Sequence, residues 1–462
     1  MKKVILSVII FILFLSYTFS DVYFVSINTG QDLPTNGSQE NPFQTITYAL
    51  SQVTGTLANP HSLFVAQGTY VENVLVGDYI KLYGGFDETS WHRKPDQYES
   101  IIENPFSSPY MYVVSLGNNV IIDGFTIQGG FNGINATSSN VIIFNNKIKN
   151  NTQYGIKCKN ATGSILNNDL QSNSLGDIRD ETSTLYIKGN NIYNSGWGII
   201  IINSSPTIEF NDISYNNGTG VYISGESAPT IKNNLIRNNF NGVTCSSTTS
   251  ITSIPSISEN IISRSTKEGI IIRYFNPEII NNVLTLNEDA IRLEYSNATI
   301  INNSISNNSK NAVYCYISSS PTVINNILTD NGVCGIYERT LDSDPTVTYN
   351  CFSGNYVGDY YDERWDDIYG TIYNGANDIN TKVNNGSNIC DFNIDGPPLY
   401  IGLISENLHL TESSPCISQA EPTNSPPIDK DGVTRPYGTG YDIGAYEYVP
   451  QGAVQEKVWN VY

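Results

Sequence analysis

The stretch Asn281-Asn282-Val283-Leu284-Thr285-Leu286-Asn287-Glu288-Asp289-Ala290-Ile291 is soon followed by Asn302-Asn303-Ser304-Ile305-Ser306-Asn307-Asn308-Ser309-Lys310-Asn311-Ala312-Val313. Both segments carry an Asn, an aliphatic residue two places on, a second Asn five places on, and Ala eight or nine places on. In either direction the pattern Asn-x-(Ile/Leu/Phe) recurs, at Asn146, Asn168, Asn190, Asn211, Asn234, Asn260, Asn282, Asn303, Asn326 and Asn350. Successive intervals run from 21 to 26 residues, and eight of the ten repeats hold the second Asn. Self-similarity at such a period marks a solenoid. A leucine-rich repeat would need an L-x-x-L-x-L core, which is absent, and a propeller blade needs about twice this length.

Each repeat of about 22 residues accommodates three short strands. A Gly-Ile segment such as Gly155-Ile156-Lys157-Cys158 alternates with period two, sending Ile156 and Cys158 to one face and Lys157 to the other. A Pro-Thr-Ile segment follows, as at Pro206 and Pro229, and the Asn-x-Ile segment is the third. One coil cannot bury its apolar face alone, whereas stacked coils share a continuous core. Equivalent strands about 4.8 Å apart give a rise of roughly 43 Å over nine steps. Asn at a sharp corner tolerates left-handed backbone, and its amide can bond the matching amide of the next coil. Parallel crossovers favour right-handed winding. The expectation is an all-β, single-stranded right-handed parallel β-helix of about a dozen coils.

Composition agrees. Of 462 residues 57 are Asn and 31 are Tyr, against two Met, and Asn is disfavoured in helix interiors. A net charge of −20 argues against nucleic acid as a partner. Met1-Lys2-Lys3, the apolar run Val4–Leu15 and the small residues before Asp21 have the parts of a secretory signal peptide. Export to the cell surface or medium is the resulting expectation, with no membrane span in the mature chain and no anchor evident before Tyr462. The seven Cys residues form no C-x-x-C pair and only three His are present, so no zinc site and no cofactor are expected. Cys390 and Cys416 are one conceivable bridge, though connectivity is not readable from sequence.

The ends read differently. Asn41–Leu50 has the pattern of a short amphipathic helix able to plug the first coil, whose open edge would otherwise be exposed. Asn41-Pro42-Phe43-Gln44-Thr45-Ile46, Gly68-Thr69-Tyr70-Val71-Glu72 and Tyr83-Gly84-Gly85-Phe86-Asp87-Glu88 resemble the opening of bacterial secreted and surface proteins with right-handed β-helix repeats, in the pectate-lyase-like superfamily. Ile122-Asp123-Gly124-Phe125-Thr126-Ile127 resembles their first regular coil. Ser414-Pro415-Cys416-Ile417, Asp431–Pro436 and Asp442-Ile443-Gly444-Ala445-Tyr446-Glu447-Tyr448 are similar to their closing cap. This resemblance implies the fold; the same fold hosts lyases, other polysaccharide-active enzymes and adhesins, so it does not choose among them. The organisation expected is a signal peptide at 1–20, an N-terminal cap with first coils at 21–100, regular repeats at 101–355, irregular last coils with a C-terminal cap at 356–450, and a tail at 451–462.

Stacking converts repeat offsets into columns. On the outer side of the Gly-Ile strands, Arg273, Arg292, Glu294, Tyr314, Tyr316, Tyr337 and Arg339 should cluster across four consecutive coils. Tyr rings offer flat amphipathic surfaces and Arg captures carboxylates in bidentate fashion, which suits a neutral or acidic polysaccharide. The same rows also read as ladders that simply stabilise neighbouring strands. A second column, seven residues after the turn Asn, holds Lys267, Asp289 and Lys310, placing a carboxylate between two ammonium groups. A uronate lyase needs a base and neutralising cations, so Lys267, Arg273, Asp289 and Glu294 are the catalytic candidates; a surface ion-pair ladder is the plainer reading. A third cluster, Asp359, Asp362, Glu363, Asp366 and Asp367 around Trp365, gathers oxygen ligands of the kind Ca²⁺ takes, or else is a solvated acidic loop. The functional expectation is a monomeric polysaccharide-binding protein, with a polysaccharide lyase or hydrolase and a structural or adhesive spacer as alternatives.

Overall fold

The computed structural model describes residues 21–105, 111–363, 370–383, 388–402 and 406–450. The signal sequence expected at 1–20 and the tail at 451–462 lie outside the described residues. Within them the chain winds through three long sheets of 15, 14 and 14 strands, parallel but for one pairing at the C-terminal end. The Pro-Thr-Ile sheet begins at Val22–Val25, the Asn-Ile sheet at Gly68–Val71 and the Gly-Ile sheet at Val74–Val76. This is the right-handed parallel β-helix that the repeat predicts, with about two coils more than expected.

Register follows the repeat. Ile192, Ile213, Ile236, Ile262, Leu284, Ile305, Leu328 and Phe352 stand opposite one another on successive Asn-Ile strands, all buried. Each such side chain contributes about 1.5–3 kcal/mol through burial, and it does so only because the coils above and below cover it.

The turns hold the coils together by hydrogen bonds. Asn282 shows the pattern: its Nδ2 donates to Asn303 Oδ1 (3.0 Å) and to the carbonyls of Ile257 (2.8 Å) and Ile280 (3.1 Å). Its Oδ1 accepts from the backbone N and Nδ2 of Asn260. The ladder runs through all ten repeat positions, continues to Asn393 and ends on Asn380 Oδ1. A second ladder follows the Asn five places on: it runs from Asn151 through Ser195 to Asn239, is interrupted at Ser265, whose Oγ is buried without a partner, and resumes from Ser265 N to Asn355. A third, not foreseen, joins the backbone N of one coil to the serine Oγ of the next through Ser183, Ser204 and Ser227.

One expectation about these corners is corrected. The left-handed residue is not the ladder Asn but its predecessor: Asn145, Asn167, Gly189, Phe210, Asn233, Glu259, Asn281, Asn302, Asn325 and Tyr349 have φ between 52° and 67°. The Asn-Asn doublets thus divide two tasks. The first residue takes the strained backbone and the second bonds to its neighbours.

Both ends are plugged. The N-terminal helix spans Ile46–Gln52, later than the expected Asn41–Leu50, because Phe43 is extended and bridges Val25. The Thr45 side chain caps it, and the Glu72 carboxylate accepts from Ile46 N and Thr47 N at 2.9 and 2.8 Å. Ile46 and Ala49 enter the first coil's core. At the far end Ala376–Val383 is a short helical segment whose Ile379 and Val383 close the same core.

The segment expected as a closing cap does not lie across the end. Residues 406–448 run back along the outer side of the Asn-Ile sheet. Leu408, Ala445 and Tyr446 cover Val283, while Leu410, Cys416 and Ile443 cover Ile327 and Cys351. Asn302, Asn325 and Asn281 bond to Asp442 O, Glu421 O and Arg435 Nη2. A fully buried Arg435–Glu447 pair at 2.6 Å, with Arg435 also donating to Gly444 O, holds this segment in shape. The physical reason is the outward column, which turns from charged at Lys147, Asp169 and Asp212 to apolar at Ile261, Val283 and Ile327 and therefore demands a cover.

Candidate functional site

The Gly-Ile sheet brings the predicted face together. Arg292, Tyr314 and Tyr337 are in register on adjacent strands, and the row continues to Tyr361. Beside it stand Arg273, Glu294 and Tyr316. The rings of Tyr314 and Tyr337 stack at 5.3 Å and those of Tyr337 and Tyr361 at 4.3 Å. Arg292 lies 5.1 Å over Tyr314 and 5.8 Å over Tyr316. Period-two alternation explains the placement: Ile291, Leu293, Val313, Cys315 and Ile336 point inward, so their neighbours point out.

Stacking changes what the tyrosines present. Tyr337 has a ring against each face, so its hydroxyl and edges meet solvent rather than its flat surface. Burial raises the Tyr314 and Tyr337 hydroxyls above their ordinary range, so they are neutral donors and acceptors at physiological pH. The arginines are also committed. Arg273 Nε and Arg292 Nε donate to the two oxygens of Glu294 at 2.6 and 2.8 Å, and Arg339 pairs with Glu363. Burial pulls the Glu294 carboxyl upward, but the two guanidinium groups outweigh it and hold it below its usual range. Glu294 is therefore an ionised clamp and not a proton donor.

The face is bounded on its N-terminal side. In the same column the two positions before Arg292, Thr244 and Ile271, are buried, so the continuous row begins at Arg292 and is separated from the half-buried Tyr222. Tyr361 and Glu363 complete it at the other end. Tyr361 was legible as one more step of the column beyond Tyr337, had the count been carried past the last regular repeat.

The second column is corrected. The carboxylate between Lys267 and Lys310 belongs to Glu288: Lys267 Nζ lies 2.8 Å from Glu288 Oε2, and Lys310 pairs with Oε1. Asp289 is buried one residue further on, accepting from Asn311 N at 3.0 Å and Nδ2 at 2.8 Å. The turn after Asn282 is one residue shorter than its neighbours, so counting back from Ala290 instead of forward from Asn282 would have found Glu288. A cleft of about 360 Å³ lies along this row, lined by Thr266, Leu286, Glu288, Ser309 and Lys310. Arg264, three residues before Lys267, donates to Glu406 Oε1 at 2.7 Å.

The described residues hold only part of the acidic stretch. Asp366, Asp367 and Trp365 lie outside the described residues. Asp359 Oδ1 accepts from Asn355 Nδ2 at 2.8 Å and Oδ2 from Gly375 N at 2.9 Å. Asp362 shares the interior column of Cys315 and Glu338 and is buried, while Glu363 faces outward to Arg339. Among the described residues no three His, Cys, Asp or Glu converge as metal ligands. All seven cysteines are buried free thiols; Cys390 and Cys416 sit in separate clusters, which corrects their conceivable pairing.

Comparison with known proteins places the fold. The family model for the right handed beta helix region matches residues 97–254 and 241–388, well over half of the chain. No curated protein matches in sequence. Solved structures with a similar course include a periplasmic alginate epimerase (15% identity, 69% of this chain and 84% of that one, TM-score 0.46). A mannuronan C-5 epimerase A-module from Azotobacter vinelandii matches at 12% identity over 76% and 93%, TM-score 0.44. A pectate lyase matches at 13% identity over 93% and 96%, TM-score 0.39. Likeness at this level carries no argument about activity. Repeat, register and family model agree that this chain belongs to the right-handed β-helix family.

Proposed function

We propose that this protein is exported and, as a monomer, binds a neutral or weakly acidic polysaccharide across the Gly-Ile face without cleaving it. The observation that carries the reading is the unbroken row Arg292–Tyr314–Tyr337–Tyr361, flanked by Arg273, Glu294, Tyr316 and Arg339, on adjacent coils. Such a row offers hydroxyls and guanidinium edges at a regular spacing of about 4.8 Å, matched to an extended polymer of polar units. Its internal ion pairs hold the side chains in one arrangement before any ligand arrives, which lowers the ordering cost of binding. The same pairing argues against lyase chemistry here. Glu288 engages both Lys267 and Lys310, and Glu294 engages Arg273 and Arg292, so no cation among these is poised to take a proton.

Electrophoresis through gels containing a panel of polysaccharides tests the reading. At least one polymer should retard the wild-type protein, and Tyr337→Ala should weaken retention about tenfold by removing both stacking contacts of the row. Absence of retention by every polymer, or unchanged retention of Tyr337→Ala, would contradict the proposal. The same incubations are assayed for new reducing or unsaturated ends, whose appearance would replace binding by catalysis.

A further inference from the structure

The closing segment meets the solenoid at two sulfurs. Cys351 starts the Asn-Ile strand Cys351–Ser353 and occupies the outward column after Ile327. Cys416 lies in the segment folded over that column, and both are fully buried in one small cluster with Ile327, Leu410 and Ile443. The two thiols hydrogen-bond to each other, and Cys351 Sγ also lies 3.3 Å from Gly396 O. Backbone contacts fix both partners: Cys351 N donates to Asn326 O and Ile443 N to Cys416 O, at 2.9 and 3.0 Å. Three of the other five thiols are out of reach of one another. Cys158, Cys245 and Cys315 share one interior column but are three or four coils apart, or roughly 14–19 Å. That is far beyond the reach of a disulfide.

We propose that Cys351 and Cys416 are a disulfide site that fastens the closing segment to the last regular coil. The bond forms by exchange with a small-molecule disulfide such as oxidised glutathione. One cysteine thiolate attacks a glutathione sulfur and expels one glutathione thiolate; the second cysteine attacks the mixed disulfide and expels the other. Two protons leave the cysteines, the two sulfurs are oxidised by two electrons, and glutathione disulfide is reduced to two thiols. The reaction belongs to the docking of the segment, because the finished cluster withdraws both thiols from solvent, and the bond to Cys416 together with burial raises the Cys351 thiol. The cross-link closes a loop that includes the end plug Ala376–Val383, so it restrains the part of the solenoid most open to fraying.

The full-length protein is unfolded in guanidinium chloride with reductant, then refolded in a mixture of reduced and oxidised glutathione. Free thiols are alkylated and peptides mapped by mass spectrometry. The expected result is one linked peptide pair, Cys351–Cys416, with the other five cysteines alkylated. The oxidised wild type should also melt about 4 °C or more above its reduced form, a difference absent from Cys416→Ser. Seven alkylated cysteines in folded protein, a different pairing, or identical melting of oxidised and reduced wild type would overturn the proposal.

Discussion

Asn282 shows what one residue does in this fold. Its amide makes three donor contacts and its oxygen accepts two, all inside a turn that excludes water. Replacing it by Ala strands the backbone N of Asn260, at about 1–3 kcal/mol for a buried group left unpaired, and removes four further hydrogen bonds worth about 1 kcal/mol each, while Ile280 O keeps its bond from Glu259 N. Denaturant unfolding of Asn282→Ala should show a loss of roughly 3 kcal/mol or more. The exposed Asn217→Ala should stay within about 0.5 kcal/mol of wild type. The periodic positions of Asn made the ladders legible, because genome bias can raise the number of Asn but not fix their register. The division of labour within each doublet was not legible. Asn suits both left-handed backbone and ladder bonding, and only the positions where Gly189, Phe210, Glu259 or Tyr349 takes the first role separate the two tasks.

Elements add what a single position cannot. The end plug Ala376–Val383 works by inserting Ile379 and Val383 into the mouth of the last coil. Ile379→Ala should cost about 2–4 kcal/mol locally. Because coils contact only their neighbours, the effect should remain at that end. Hydrogen exchange should therefore rise in the strands Thr346–Thr348 and Gly358–Asp362 and stay unchanged near Ile46–Gln52. Strand positions were readable from alternation, and so was the clustering of Arg292, Tyr314 and Tyr337. Turn lengths were not, since a corner of eight or nine residues gives the same sequence signature. A single missing residue moved the carboxylate of the lysine row from Asp289 to Glu288.

For the whole molecule, stacking buries acids as well as aliphatic side chains. Burial pushes the Asp177 carboxyl up to about 8, against the lowering effect of bonds from Asn173 and Ser195. Burial raises Glu338 to about 8 as well, where Tyr360 and Asn388 donate to it and Asp362 repels its charge. Their ordinary values are 3.8 and 4.5. Between those values and about 8 the folded chain binds more protons than the unfolded one, so these two groups make stability fall as pH rises. Glu288 and Glu294 have the opposite sign: their lysine and arginine partners hold them low, and that stability is lost as pH drops below about 4.5. The melting temperature should thus be highest near pH 5 and decline toward pH 8, and Asp177→Asn with Glu338→Gln should flatten the decline. A basic limb that is equally steep in the double variant would refute this assignment.

The molecular outline was mostly legible: the winding, the coil length and a plug at the N-terminal end follow from the repeat. The course of residues 406–448 along the flank was not. Its signal was the change of the outward Asn-Ile column from Lys147 and Asp169 to Val283 and Ile327, which the repeat pattern alone does not weigh. That cover matters for function, because it occupies part of the Asn-Ile sheet and leaves the Tyr/Arg row of the Gly-Ile sheet open. Hydrogen exchange with and without the polysaccharide that best retards the protein tests this placement most directly. The account predicts slowed exchange confined to strands Ile291–Glu294, Val313–Tyr316, Cys334–Glu338 and Gly358–Asp362. Protection centred instead on Lys147–Lys149, Asp169–Gln171 and Asn191–Tyr193, or spread evenly along the solenoid, would contradict it.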